Sequence, residues 1–203
     1  MKKLLLLFVL IVQNTLYAQT YYDADNNKID KKTFDKFLAG KEYYHVENDS
    51  LKAFKLMYLN NRGEKGSLGD TKKLFQELNE KLHLKLDSIK PLIIYYYPGK
   101  DPCNSGGTAT LKSQNQWEKQ LAKKVKKIAD VNTLRIYKNE DGLKTKGVLE
   151  WKKDPNALIE NLFFNYHYGC GSFVIINKEK YLAVFGEYGH TQVTESLKEI
   201  LKE

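Results

Sequence analysis

The sequence predicts an α/β domain of three layers, preceded by a small β-rich extension. Three observations carry this expectation. From residue 70 onward, helix-like and strand-like segments follow one another in the order α-β-α-β-α-β-β-α. Within that order, Leu92-Ile93-Ile94-Tyr95-Tyr96-Tyr97 is an unbroken apolar run of strand length, as expected of a strand buried on both faces. Residues 19–67, by contrast, hold short alternating segments punctuated by turn residues.

The chain opens with Met1-Lys2-Lys3, a positive start, followed by the apolar run Leu4 to Val12 and by Leu16-Tyr17-Ala18. Charge, apolar stretch and small terminal residue read as a secretory signal peptide over residues 1–18, too short to stay as a membrane anchor. No Cys follows the run, so lipid attachment is not expected. The mature chain is expected to begin at Gln19 and to work in the periplasm or outside the cell. Its two cysteines, Cys103 and Cys170, then lie where disulfides form and persist.

Residues 19–67 form the predicted extension. Tyr21-Tyr22 and Lys28-Ile29 read as a hairpin around Asp25-Asn26-Asn27. Asp23, Asp25 and Asn27 imitate a calcium loop, but Lys28 stands where the loop needs Gly and Phe34 where it needs Glu. A short helix follows with Phe34, Phe37 and Leu38 on one face. Tyr43–Val46 and Ala53–Leu59 then read as strands joined at Asn48-Asp49. Arg62-Gly63-Glu64-Lys65-Gly66 reads as a polar connection to the main domain, residues 68–203.

In the main domain Asp70 is placed to cap a helix carrying Leu74, Leu78 and Leu82. The core strand Leu92–Tyr97 comes next, expected to lie parallel to Leu134-Arg135-Ile136-Tyr137. Between them Pro98–Asn115 is polar and glycine-containing, and a helix presents Trp117, Leu121, Val125 and Ile128 on one face. Asp154-Pro155 is a helix start leading into Leu158, Ile159, Leu162 and Phe163. Phe173–Ile176 and Tyr181–Phe185 flank Asn177-Lys178-Glu179-Lys180 as a β-hairpin. A last helix carries Val193, Leu197, Ile200 and Leu201.

Composition narrows the functional classes. The formal charge of +8 falls to +6 once Lys2 and Lys3 leave with the leader. Acidic and basic residues interleave, which reads as a solvated lysine-rich surface. Arg62 and Arg135 are the only arginines, which argues against nucleic acid as a partner. No second apolar run is long enough to cross a membrane. Gly106-Gly107-Thr108 lacks the Lys-Ser/Thr ending of a phosphate loop. No serine sits in a recognisable nucleophile turn, and no paired carboxylates stand out. His45 and His83 lie in amphipathic segments. Trp117 and Trp151 read as core or rim packing. No cofactor is expected, and a protein partner is left open.

The element order, with Pro102-Cys103 just after the first core strand, resembles the thioredoxin superfamily over about residues 68–203. That resemblance implies a Cys-x-x-Cys motif where strand meets helix, with its first thiol as nucleophile. Here the stretch is Lys100-Asp101-Pro102-Cys103, and Lys100 takes the nucleophile's place. Asn104-Ser105-Gly106-Gly107-Thr108 is a poor helix start, so the helix is expected only near Ser113 and Cys103 in a loop. The family's cis-proline position falls near Cys170-Gly171-Ser172, where no Pro is present. The resemblance therefore implies that Cys170 sits beside Cys103. Three readings of the cysteines compete. The pair is a structural disulfide in a binding or structural protein. Or Cys103 and Cys170 are a catalytic pair for thiol–disulfide exchange. Or, from the spacing His167-Tyr168-Gly169-Cys170, His167 and Cys170 bind copper or zinc, with Cys103 or His190 completing the shell. Two free thiols without a joint role complete the alternatives.

Overall fold

The computed structural model of the 203-residue chain describes residues 19–106, 108–143, 145 and 149–203. The predicted signal peptide and Gly107 of the glycine loop lie outside the described residues. No helix among the described residues is long and apolar enough to cross a membrane.

The N-terminal region folds as β1 (Thr20–Tyr22), β2 (Lys28–Ile29), α1 (Lys31–Ala39), β3 (Tyr43–Asn48) and β4 (Ala53–Tyr58). The strands form one sheet in the order β2-β1-β4-β3, with β1 parallel to β4 and the other pairs antiparallel. Local chemistry explains the turns. The Asp23 carboxylate accepts hydrogen bonds from the Asp25 and Asn27 amides at 3.0 and 2.8 Å, closing the hairpin. Asp30 caps α1 by accepting from the Thr33 amide at 2.8 Å. Phe34 on α1 is then buried against Tyr21, with ring centroids 5.0 Å apart.

The second sheet takes in β5 (Gly63–Ser67), then α2 (Thr71–Leu82), β6 (Leu92–Tyr97), α3 (Pro102–Ser105), α4 (Leu111–Lys126), β7 (Asn132–Tyr137) and β8 (Lys152–Lys153). A 3-10 turn at Pro155–Ala157, α5 (Leu158–Phe163), β9 (Ser172–Asn177), β10 (Lys180–Val184) and α6 (His190–Ile200) complete it. Its strand order is β5-β10-β9-β6-β7-β8. β6 is central and runs parallel to β7, as the intervening helix requires, and antiparallel to β9.

Alternate residues of β6 serve two cores. Leu92, Ile94 and Tyr96 pack with Leu78 of α2 and Ile159 of α5. Ile93 and Tyr95 pack with Leu121 and Val125 of α4 and with Val193 and Leu197 of α6. The sheet is therefore covered by helices on both faces, and the expected three layers are present. Val46 and Met57 of the four-stranded sheet join the first of these cores.

Three expectations need correction. Residues 63–67, read as a connection, are the edge strand β5, hydrogen-bonded antiparallel to β10. The sheet partner supplies what local propensity does not. Residues 102–105 form a one-turn helix, so Cys103 is helical and not in a loop, and α4 begins at Leu111, before Ser113. The reason is a reciprocal cap, in which Asp101 accepts from the Asn104 amide at 2.8 Å and Asn104 accepts from the Asp101 amide at 3.0 Å. The third concerns Asp154. It does cap α5, accepting from the Ile159 and Glu160 amides at 3.0 and 2.8 Å. The helix itself starts three residues later than expected, because Asn156 and Ala157 take left-handed backbone, with φ of 56° and 54°.

Candidate functional site

The two cysteines meet at the carboxyl end of β6. Cys103, in α3, and Cys170, two residues before β9, are joined by a disulfide with Cα atoms 5.0 Å apart. Cys103 is exposed and Cys170 half-buried. The bond closes 67 residues of chain.

A buried carboxylate organises both cysteine segments. Asp101 caps α3 with one oxygen, and its other oxygen accepts from the Cys170 amide at 2.9 Å. His167 stands on the same oxygen, with Nε2 at 3.5 Å. The backbone around Cys170 turns sharply. Cys170 has φ +71°, and a Cβ at Gly171 would come within 3.1 Å of the Tyr96 carbonyl. Glycine at 171 thus lets this segment approach the end of β6.

The disulfide lies between two clefts. The first, about 450 Å³, is walled by Tyr97, Trp117, Trp151 and Tyr188, with Cys170 and Glu187 at its border. Both tryptophans of the chain line it. Polar contacts hold the Trp151 ring and the Trp117 backbone. Trp151 Nε1 donates to Thr145 Oγ1 at 2.9 Å, and the Trp117 carbonyl lies 3.0 Å from His190 Nε2. Tyr97 donates to the Asp141 carbonyl at 2.9 Å. Burial raises the Tyr97 and Tyr188 phenols above the ordinary tyrosine range, so both stay neutral near pH 7.

The second cleft, about 580 Å³, is lined by Tyr44, His45 and Glu47 of the four-stranded sheet and, opposite them, by Asp101, Cys103, His167 and Glu187, with Arg62 also in its wall. The His167 amide donates to the Glu47 carbonyl of β3 at 2.8 Å, which ties this wall to the four-stranded sheet.

The structure thus brings Cys103 and Cys170 together. Lys100 is exposed, with its stem against Gly142. Among the described residues, one set of potential metal ligands has its donor atoms mutually within 4.8 Å: Cys103, Cys170 and Glu187. His167, the histidine expected in such a set, is not part of it and faces Asp101 instead. Glu187 carries no spacing signal in the sequence. It sits in the link from β10 to α6, and only the sheet order carries that link back to the cysteines. Trp117 packs against the second core and Trp151 against Tyr97, as expected, and both line the first cleft. The chain matches no family model, no curated protein and no solved structure.

Proposed function

We propose that this chain is an exported thioredoxin-like domain with a degenerate redox motif, and that the edge carrying Cys103 and Cys170 binds an apolar or aromatic side chain of a partner protein. The order β10-β9-β6-β7, with one parallel pair and a closing antiparallel hairpin, supports the thioredoxin-like reading. The observation that carries the binding role is the aromatic cleft beside the disulfide. It lies at the carboxyl ends of β6 and β7, where open α/β sheets place their ligands. A few polar groups on an aromatic lining are what small binding sites offer. The disulfide contributes by holding the Cys170 border in place.

Because both tryptophans line the cleft, intrinsic fluorescence reports on it directly. Titration with unstructured peptides bearing Phe, Trp or Leu is expected to give a saturable change. Trp151→Ala weakens it about tenfold or more, as expected for a buried aromatic anchor. A flat titration with every peptide rejects the binding role.

A second reading rests on the exposure of Cys103. An incoming thiolate attacks Cys103 Sγ, the Cys103–Cys170 bond breaks, and Cys170 leaves as a thiolate, giving a mixed disulfide. Insulin reduction by a dithiol, catalysed by the wild type and lost in Cys103→Ser, would put exchange ahead of binding.

A further inference from the structure

We propose that reduction of the Cys103–Cys170 bond opens a site for a thiophilic divalent cation, Zn²⁺ in the first instance, formed by the two sulfurs and the Glu187 carboxylate. The proposal is independent of the aromatic cleft and of any exchange activity.

The donor atoms of the three residues already lie within 4.8 Å of one another. Tetrahedral zinc with thiolate ligands at about 2.3 Å and carboxylate oxygen at about 2.1 Å holds its donors about 3.5–4 Å apart. The carboxylate therefore needs only a small approach. The sulfurs must separate, and Cys103 is exposed, so rotation about its Cα–Cβ bond moves the sulfur without a backbone change.

Glu187 is free to ligate. It is exposed, and among the described residues it makes no hydrogen bond or ion pair. The backbone frame does not depend on the disulfide alone. Asp101 holds the Cys170 amide and caps the helix carrying Cys103, so both segments keep a shared anchor when the bond opens. Two thiolates and a carboxylate carry three negative charges. The cation offsets two, and Arg62 lies in the same cleft as Cys103 and Glu187. A water would complete a four-coordinate ion. An S₂O donor set suits zinc or cadmium better than the hard cations magnesium and calcium.

The chemistry balances. A dithiol reductant gives up two electrons and two protons, becoming a cyclic disulfide, and the protein disulfide becomes two thiols. Binding of Zn²⁺ then releases the two thiol protons.

The test uses the chain as the cell produces it, reduced with dithiothreitol and desalted without oxygen, then titrated with ZnCl₂ by calorimetry. Titration with CdCl₂ reads thiolate-to-metal absorption. One ion per reduced chain and none per oxidised chain are expected. Glu187→Gln should weaken binding about tenfold or more. Zinc binding to the reduced chain no tighter than to the chain with both thiols alkylated overturns the proposal. So does an unchanged affinity in Glu187→Gln, which would leave the sulfurs as the only protein ligands. If the reduced chain unfolds, circular dichroism decides. Refolding by zinc supports the site, and failure to refold overturns it.

Discussion

The six-stranded sheet is covered by helices on both faces, whereas the four-stranded sheet shares one face with the main core and rests α1 on the other. Every residue of β6 is buried, as are five of the six in β9. β3, in the smaller sheet, buries only Val46. The difference shows in the residues themselves. LIIYYY and SFVIIN are almost continuous apolar strands, while YYHVEN alternates. Stability and site geometry have separate sources. The main sheet supplies the rigid floor under the disulfide. The smaller sheet supplies a wall of the second cleft through Tyr44, His45 and Glu47, from a less deeply buried frame.

The comparison is open to three tests. The largest effect is expected at Ile94, which is 0% exposed at the centre of β6. Ile94→Ala should cost about 4 kcal/mol in urea unfolding, through lost transfer energy and an unfilled cavity. A cost below about 1 kcal/mol would remove the central role assigned to β6. Next comes Phe34→Ala, at about 3 kcal/mol, because Phe34 anchors α1 against Tyr21 and Phe54. Amide exchange should accelerate in β1–β3 more than in β6 and β9. Equal acceleration throughout would mean that the two sheets open as one unit, joined through Val46 and Met57.

A third test concerns a lysine buried in the smaller sheet. Lys55 on β4 is 4% exposed, and among the described residues its ammonium makes no ion pair. Burial pushes its pKa below 10.5, against the weaker pull of Glu64, Asp23 and Asp25. In the window between that lowered value and 10.5 the unfolded chain binds more protons than the folded one. Stability of the wild type therefore rises with pH there. Lys55→Met should be more stable by about 1 kcal/mol near neutral pH, and its advantage should shrink as pH rises through the window. Urea midpoints of both proteins at several pH values give the answer. A destabilised variant would mean that the lysine is held by favourable contacts.

Much of the fold was legible in the chain. β6 announced itself by length and continuity, α4 by Leu121 and Val125 at helical spacing, and the last hairpin by two apolar strands around polar turn residues. These signals are local, because burial on a known face leaves a period in the sequence. β5 was not legible. Glycine, lysine and glutamate have no strand preference, and their hydrogen bonds come from β10, more than a hundred residues away. The turn of helix at Pro102–Ser105 was hidden too, since it depends on one reciprocal cap between Asp101 and Asn104.

The candidate site divides in the same way. Compartment and residue type pointed from the sequence to Cys103 and Cys170, and their pairing rested on a resemblance in element order. The sequence alone determined the two cysteines, the apolar strand beneath them and the helix that follows. Tertiary structure decided what surrounds them. It set Glu187 rather than His167 beside the sulfurs, brought the packing residues Trp117 and Trp151 to one cleft, and gave Asp101 a hold on both cysteine segments. Distance along the chain separates the two. Helical and strand periods report which face of an element is buried, but which loops share one end of a sheet follows from strand order, and no local pattern of residues encodes that order.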